Sequence, residues 1–130
     1  MDREELQKRT YAFALRVVRM VKTWQYDLAN KCIGDQLVRA ATSVAANYRA
    51  ARRSRSDREF LAKMSIVVEE VDESLFWLSL AIDAQCVSVE KAGLLRDEAE
   101  QLLKIFASTR ATLKRRGASA PNHPITKSPN

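Results

Sequence analysis

Residues 49–58 read Arg-Ala-Ala-Arg-Arg-Ser-Arg-Ser-Asp-Arg, five arginines in ten positions. Apolar residues at helical spacing run up to this stretch and resume directly after it. Leading into it, Ile33, Leu37, Ala40 and Val44 share one helix face with Ala51 of the stretch itself, and Val38, Ala41, Ala45 and Tyr48 share the next. After it, Phe60, Met64, Val67, Val71 and Leu78 form one row, and Leu61, Val68, Leu75 and Ile82 a second. Ser56 followed by Glu59 is a capping box, which starts a helix by offering a hydroxyl and a carboxylate to exposed backbone donors. The spacing therefore predicts helices over residues 31–53 and 56–85, joined by a short polar turn. So short a connection folds the second helix back antiparallel to the first.

Working outward, Leu6, Thr10, Phe13, Val17, Met20 and Trp24 keep a four-three rhythm that predicts a helix over residues 3–24, with a turn over 27–30. On the other side, Ser88 caps a helix that carries Leu95, Ala99, Leu102, Phe106, Thr109 and Leu113 and runs to 116, where Gly117 can end it. All three prolines, Pro121, Pro124 and Pro129, lie beyond that point, so nothing earlier breaks a helix through proline. The expectation is an all-α, antiparallel up-down-up-down four-helix bundle over residues 1–117, followed by a disordered tail over 118–130. Two apolar rows on the third helix exceed what one bundle helix needs. The surplus predicts a contact surface between subunits, with Tyr48, Phe76 and Trp77 as its seam.

The chain has 130 residues and a net charge of +6. The charge is polarised as well as positive. Residues 31–58 hold seven basic and two acidic side chains, a net of +5, and residues 59–86 hold one basic and six acidic, a net of −5. In an up-down bundle, the start of the first helix, the turn at 49–58 and the end of the fourth helix meet at one pole. That places Arg49, Arg52, Arg53, Arg55, Arg58, Lys114, Arg115 and Arg116 together as candidate nucleic-acid-binding residues. Clustered arginines bind phosphates and release counterions without reading sequence. The competing reading is a solvated surface, or arginines that serve only assembly. Arg39, Ser43, Asn47, Arg49, Glu69 and Glu73 form a second candidate set, a polar network at an interface in which helix-three acids answer helix-two arginines.

The same residues argue against chemistry. A carboxylate cluster in a bundle (Glu69, Glu70, Asp72, Glu73) is half of a di-iron site, which also needs Glu-x-x-His pairs; the only histidine is His123, in the tail. No metal and no cofactor are expected. A serine or cysteine nucleophile needs a base that no histidine before the tail supplies, so no enzymatic activity is expected. Cys32 and Cys86 fall at the pole opposite the arginines and read as a reduced pair. No apolar run spans a membrane, and the opening Met-Asp-Arg-Glu-Glu is unlike a secretion signal. A cytoplasmic protein is the expectation.

The strings Gln36-Leu37-Val38-Arg39-Ala40-Ala41-Thr42-Ser43-Val44, Asn47-Tyr48-Arg49-Ala50-Ala51, Arg53-Ser54-Arg55-Ser56, Glu59-Phe60, Glu69-Glu70, Asp72-Glu73-Ser74 and Trp77-Leu78 carry a resemblance. Together they resemble the bacterial four-helix-bundle proteins first noted as products of intervening sequences in 23S ribosomal RNA genes. That family includes the accessory variability determinant of diversity-generating retroelements. Many members have Asn-Ile-Ala-Glu-Gly where this chain has Asn47-Tyr48-Arg49-Ala50-Ala51, and the chain is similar to the subset with Asn-Tyr-Arg. The resemblance implies an antiparallel four-helix bundle assembled as a homopentamer. For the retroelement member it implies a basic scaffold that binds nucleic acid, RNA or DNA, and a reverse transcriptase. Nothing in composition or spacing indicates five subunits.

Overall fold

Four short oxygen-bearing side chains start four helices. In the computed structural model, which describes residues 1–117, these helices are α1 (Arg3–Val21), α2 (Leu28–Ala51), α3 (Asp57–Asp83) and α4 (Val89–Arg115). Asp2 and Asp27 carboxylates accept from the backbone N–H groups of Glu5 (2.8 Å) and Asn30 (2.7 Å). The Ser56 and Ser88 hydroxyls accept from those of Glu59 (3.1 Å) and Lys91 (3.3 Å). Each cap satisfies a donor that the first helical turn leaves open. No strand occurs among the described residues, and the fold is an all-α, antiparallel four-helix bundle. The tail expected over 118–130, with His123, lies outside the described residues.

At the connection between α1 and α2, both helix ends differ from the sequence expectation. Asp27 caps α2, so that helix begins at Leu28 and takes in most of the expected turn. The last turn of α1 tightens, with the Thr23 and Trp24 N–H groups donating to the Met20 and Val21 carbonyls (both 3.0 Å), so α1 stops at Val21. Gly34 explains how this turn sits on α2. A Cβ at that position would stand 2.9 Å from Val21 Cγ1 and 3.6 Å from the Trp24 ring, so the missing side chain permits the close approach.

The core runs the length of the bundle. Leu6, Phe13 and Val17 of α1, Leu37, Val44 and Tyr48 of α2, Phe60, Met64, Val71 and Leu78 of α3, and Leu95, Leu102, Phe106 and Leu113 of α4 are all buried. Helices pack in ring order, α1 on α2, α2 on α3 and α3 on α4, and the α1–α4 edge is the most loosely closed. Both apolar rows of α3 are turned to this core or half-covered beside it. What remains outside is a third row at residues 62, 66, 69, 73, 76 and 80, which steps by three and four along the outer face and is exposed throughout. Ile66, Phe76 and Leu80 are its large apolar members, at 38%, 57% and 36% exposure. Tyr48, expected at a subunit seam, is instead core, stacked at a tilt on Phe106 with ring centroids 5.2 Å apart. Phe76 and Trp77 stay together as an edge-to-face pair 4.9 Å apart, Phe76 exposed and Trp77 half-buried.

Candidate functional site

Three contacts draw the arginine-bearing ends of the helices to one pole. The Arg3 guanidinium at the start of α1 lies 4.5 Å above the Phe60 ring at the start of α3, a cation–π contact. Arg52 Nη1, just past α2, donates to Gln7 Oε1 of α1 at 2.6 Å. Arg116 Nη2, just past α4, donates to Asp57 Oδ2 at the start of α3 at 3.3 Å. Residues far apart in sequence thus share one end of the molecule, as the up-down topology requires.

Of the eight candidate nucleic-acid-binding residues, Arg49, Arg52, Arg53, Arg55, Arg58, Lys114 and Arg115 are exposed. Arg116 is half-buried and paired with Asp57, whose side chain is 1% exposed, so Arg116 holds α4 to α3 as well as adding charge. Arg49 and Arg52 also look sideways. With Glu4, Gln7, Lys8, Tyr11 and Ala45 they line a groove of about 530 Å³ between α1 and α2.

The polar network expected between α2 and α3 exists in altered form. Ser43 Oγ donates to Glu70 Oε2 at 3.0 Å, and Asn47 Nδ2 donates to Ser43 Oγ and to the Ser43 carbonyl, both at 2.9 Å. Glu70, not Glu69, is the carboxylate in contact; Glu69 lies on the exposed outer row. Burial pushes the Glu70 carboxyl up, the Ser43 hydroxyl works against that, neighbouring Glu73 raises it further, and Arg39 pulls it back. Glu73 and Arg39 are therefore members by proximity to Glu70. Arg39 is exposed, with Nη2 3.3 Å from Gln36 Oε1. Arg49 is absent from the network within the chain, because its place on α2 turns it to the α1 groove.

Helical register carried the missed signal for Glu70. It falls with Val67 and Ser74, one turn either way, and with Trp77 a turn beyond, on the partly covered side of α3, whereas Glu69 falls with Ile66 and Glu73. Tyr11 was missed because it stands one position off the buried Thr10 row, outside every apolar stripe.

At the opposite pole Cys32 is exposed and Cys86 half-buried, and neither is in a disulfide. Burial pushes the Cys86 thiol up, and Asp27 adds to the shift, so its thiolate is disfavoured. Among the described residues, no group of histidine, cysteine and acidic side chains is arranged to hold a metal ion, and no helix is long and apolar enough to cross a membrane.

Residues 3–108 match the family model of the 23S rRNA-intervening sequence proteins. No curated protein matches the chain. Among solved structures, the chain is similar to a protein of unknown function from the S23 ribosomal protein family of Bacteroides thetaiotaomicron. The two superpose with a TM-score of 0.71 at 26% identity, over 78% of this chain and 94% of that one.

Proposed function

Because this chain belongs to the family of 23S rRNA-intervening sequence proteins, we propose that it is a non-enzymatic, self-assembling helical scaffold that grips nucleic acid, without sequence preference, through its arginine-rich pole. The observation that carries the reading is the exposure of Arg49, Arg52, Arg53, Arg55, Arg58, Lys114 and Arg115 at one end, from two separate parts of the chain. Guanidinium groups left open to solvent are free to meet phosphate oxygens in forked geometry. The exposed row on α3 supports self-assembly: Ile66, Phe76 and Leu80 stand beside Glu69 and Glu73 on a face that no helix of the same chain covers. The assembly proposed has five copies, the number that the resemblance described above implies. A ring of five would present five basic poles to one polyanion, so weak contacts would add. The same resemblance supports a reverse transcriptase as the protein partner to test where the gene lies in a retroelement.

The second reading, a module whose arginines serve assembly alone, draws on Arg9 and Arg116, each of which is paired with a carboxylate inside the chain. Titrating a labelled generic RNA at a series of salt concentrations separates the two. The nucleic-acid reading expects log affinity to fall linearly with log salt, and joint replacement of Arg52, Arg53 and Arg55 by alanine to flatten that slope by about 2 to 3. Unchanged affinity in the triple variant would rule those three arginines out, and native mass at the single-chain value would rule out self-assembly.

A further inference from the structure

We propose that the groove between α1 and α2 seats single-stranded nucleic acid, with Tyr11 as the platform for an unpaired base and Lys8, Arg49 and Arg52 as its phosphate contacts. This rests on the nucleic-acid reading above and narrows it. Tyr11 is 67% exposed although the inner face of α1, through Leu6, Thr10, Phe13 and Val17, is filled without it. A large aromatic ring left outside the core and flanked by cations is the pairing that single-strand binders use, because stacking accepts any base while charge holds the backbone.

The geometry of the two helices makes the seat. Lys8 and Tyr11 are one turn apart on α1, and Ala45, Arg49 and Arg52 follow one another at steps of four and three on α2. Ala45 is small, so the groove of about 530 Å³ stays open between them. Arg52 is held beside the groove by its 2.6 Å bond to Gln7, which limits what it must give up in freedom on binding. Glu4 is the only carboxylate in the lining, against three cations. A duplex keeps its base faces stacked inside, so it can meet these cations but cannot reach the ring.

The test is fluorescence anisotropy with a labelled oligouridine and a labelled blunt-ended RNA duplex of two strands, on wild type, Tyr11→Ala and Tyr11→Phe, with native mass measured for each. The expected result is an approximately tenfold loss of oligouridine affinity in Tyr11→Ala, no change for the duplex, and recovery in Tyr11→Phe. Unchanged oligouridine binding in Tyr11→Ala overturns the groove while leaving salt-dependent binding at the pole intact. Equal losses for both RNAs, or a changed native mass, overturn it by making Tyr11 a residue of fold or assembly. Wild type that binds neither RNA overturns both this proposal and the reading it rests on.

Discussion

Tyr48 concentrates the tension between packing and polarity at a single residue. Its ring is 1% exposed against Phe106, yet its hydroxyl is buried with no hydrogen-bond partner among the described residues. Burial pushes the phenol up to about 12, with Arg3 and Arg52 pulling the other way. The sign follows from linkage. The folded state holds the phenolic proton more tightly than the unfolded chain, whose tyrosines titrate near 10, so this contribution is complete below pH ~10 and is lost as pH rises toward ~12. Tyr48→Phe is expected to match or exceed wild type by about 1 kcal/mol at pH 7, since it removes an unsatisfied hydroxyl. Its advantage should widen by a further ~2 kcal/mol by pH 11.5. Urea unfolding at pH 7, 9, 10.5 and 11.5 measures both; parallel curves for the two proteins would refute the assignment to Tyr48.

At the scale of the element, the two long C-terminal helices end by different means. After α4 the chain turns at Gly117 with φ 72°, a conformation glycine adopts freely, and this end was legible in the sequence. After α3 the turning residue is Gln85, with φ 63°. The Cys86 N–H donates to the Ala81 carbonyl at 2.9 Å and the Gln85 N–H to the Ile82 carbonyl at 3.0 Å, which together close a Schellman motif. Nothing in a glutamine announces that turn, so sequence reasoning carried the helix on to residue 85, past its end at Asp83. A side chain in left-handed backbone costs about 1 kcal/mol. Gln85→Gly is therefore expected to stabilise the protein by ~0.5–1 kcal/mol, seen as a higher urea midpoint with an unchanged slope. A lower midpoint would mean that the glutamine side chain makes a contribution the turn geometry does not reveal.

For the whole molecule, the α1–α4 edge decides how firmly the ring of helices closes. It is the most loosely packed helix pair, and a two-pronged ion pair spans it: Arg9 Nε and Nη2 donate to Glu98 Oε2 and Oε1 at 2.9 and 2.6 Å. Glu98 raises the Arg9 pKa against the opposing effect of burial. Forked geometry and side chains about one-fifth exposed place this pair above an ordinary surface bridge. A double-mutant cycle on Arg9→Met and Glu98→Gln is expected to give a coupling of about 1 kcal/mol, read from urea unfolding. A coupling near zero would leave the edge to packing alone.

Local chemistry determined most of the architecture. Four capping side chains, apolar rows at steps of three and four, and the short arginine-rich turn at 49–58 specify four antiparallel helices, because each of those signals acts within a few residues of the backbone it shapes. The common pole was legible for the same reason: short turns leave helix ends no other place to go. Tertiary structure decided which charges remain available and which rings are covered, although for Glu70 and Tyr11 the helical register already pointed the same way. Arg116 was drawn to Asp57, Glu70 rather than Glu69 met Ser43, Tyr48 entered the core, and Tyr11 stayed outside it. Each of those outcomes depends on the rotation of one helix against its neighbour, and a turn of less than 100° about an axis exchanges a buried side chain for an exposed one.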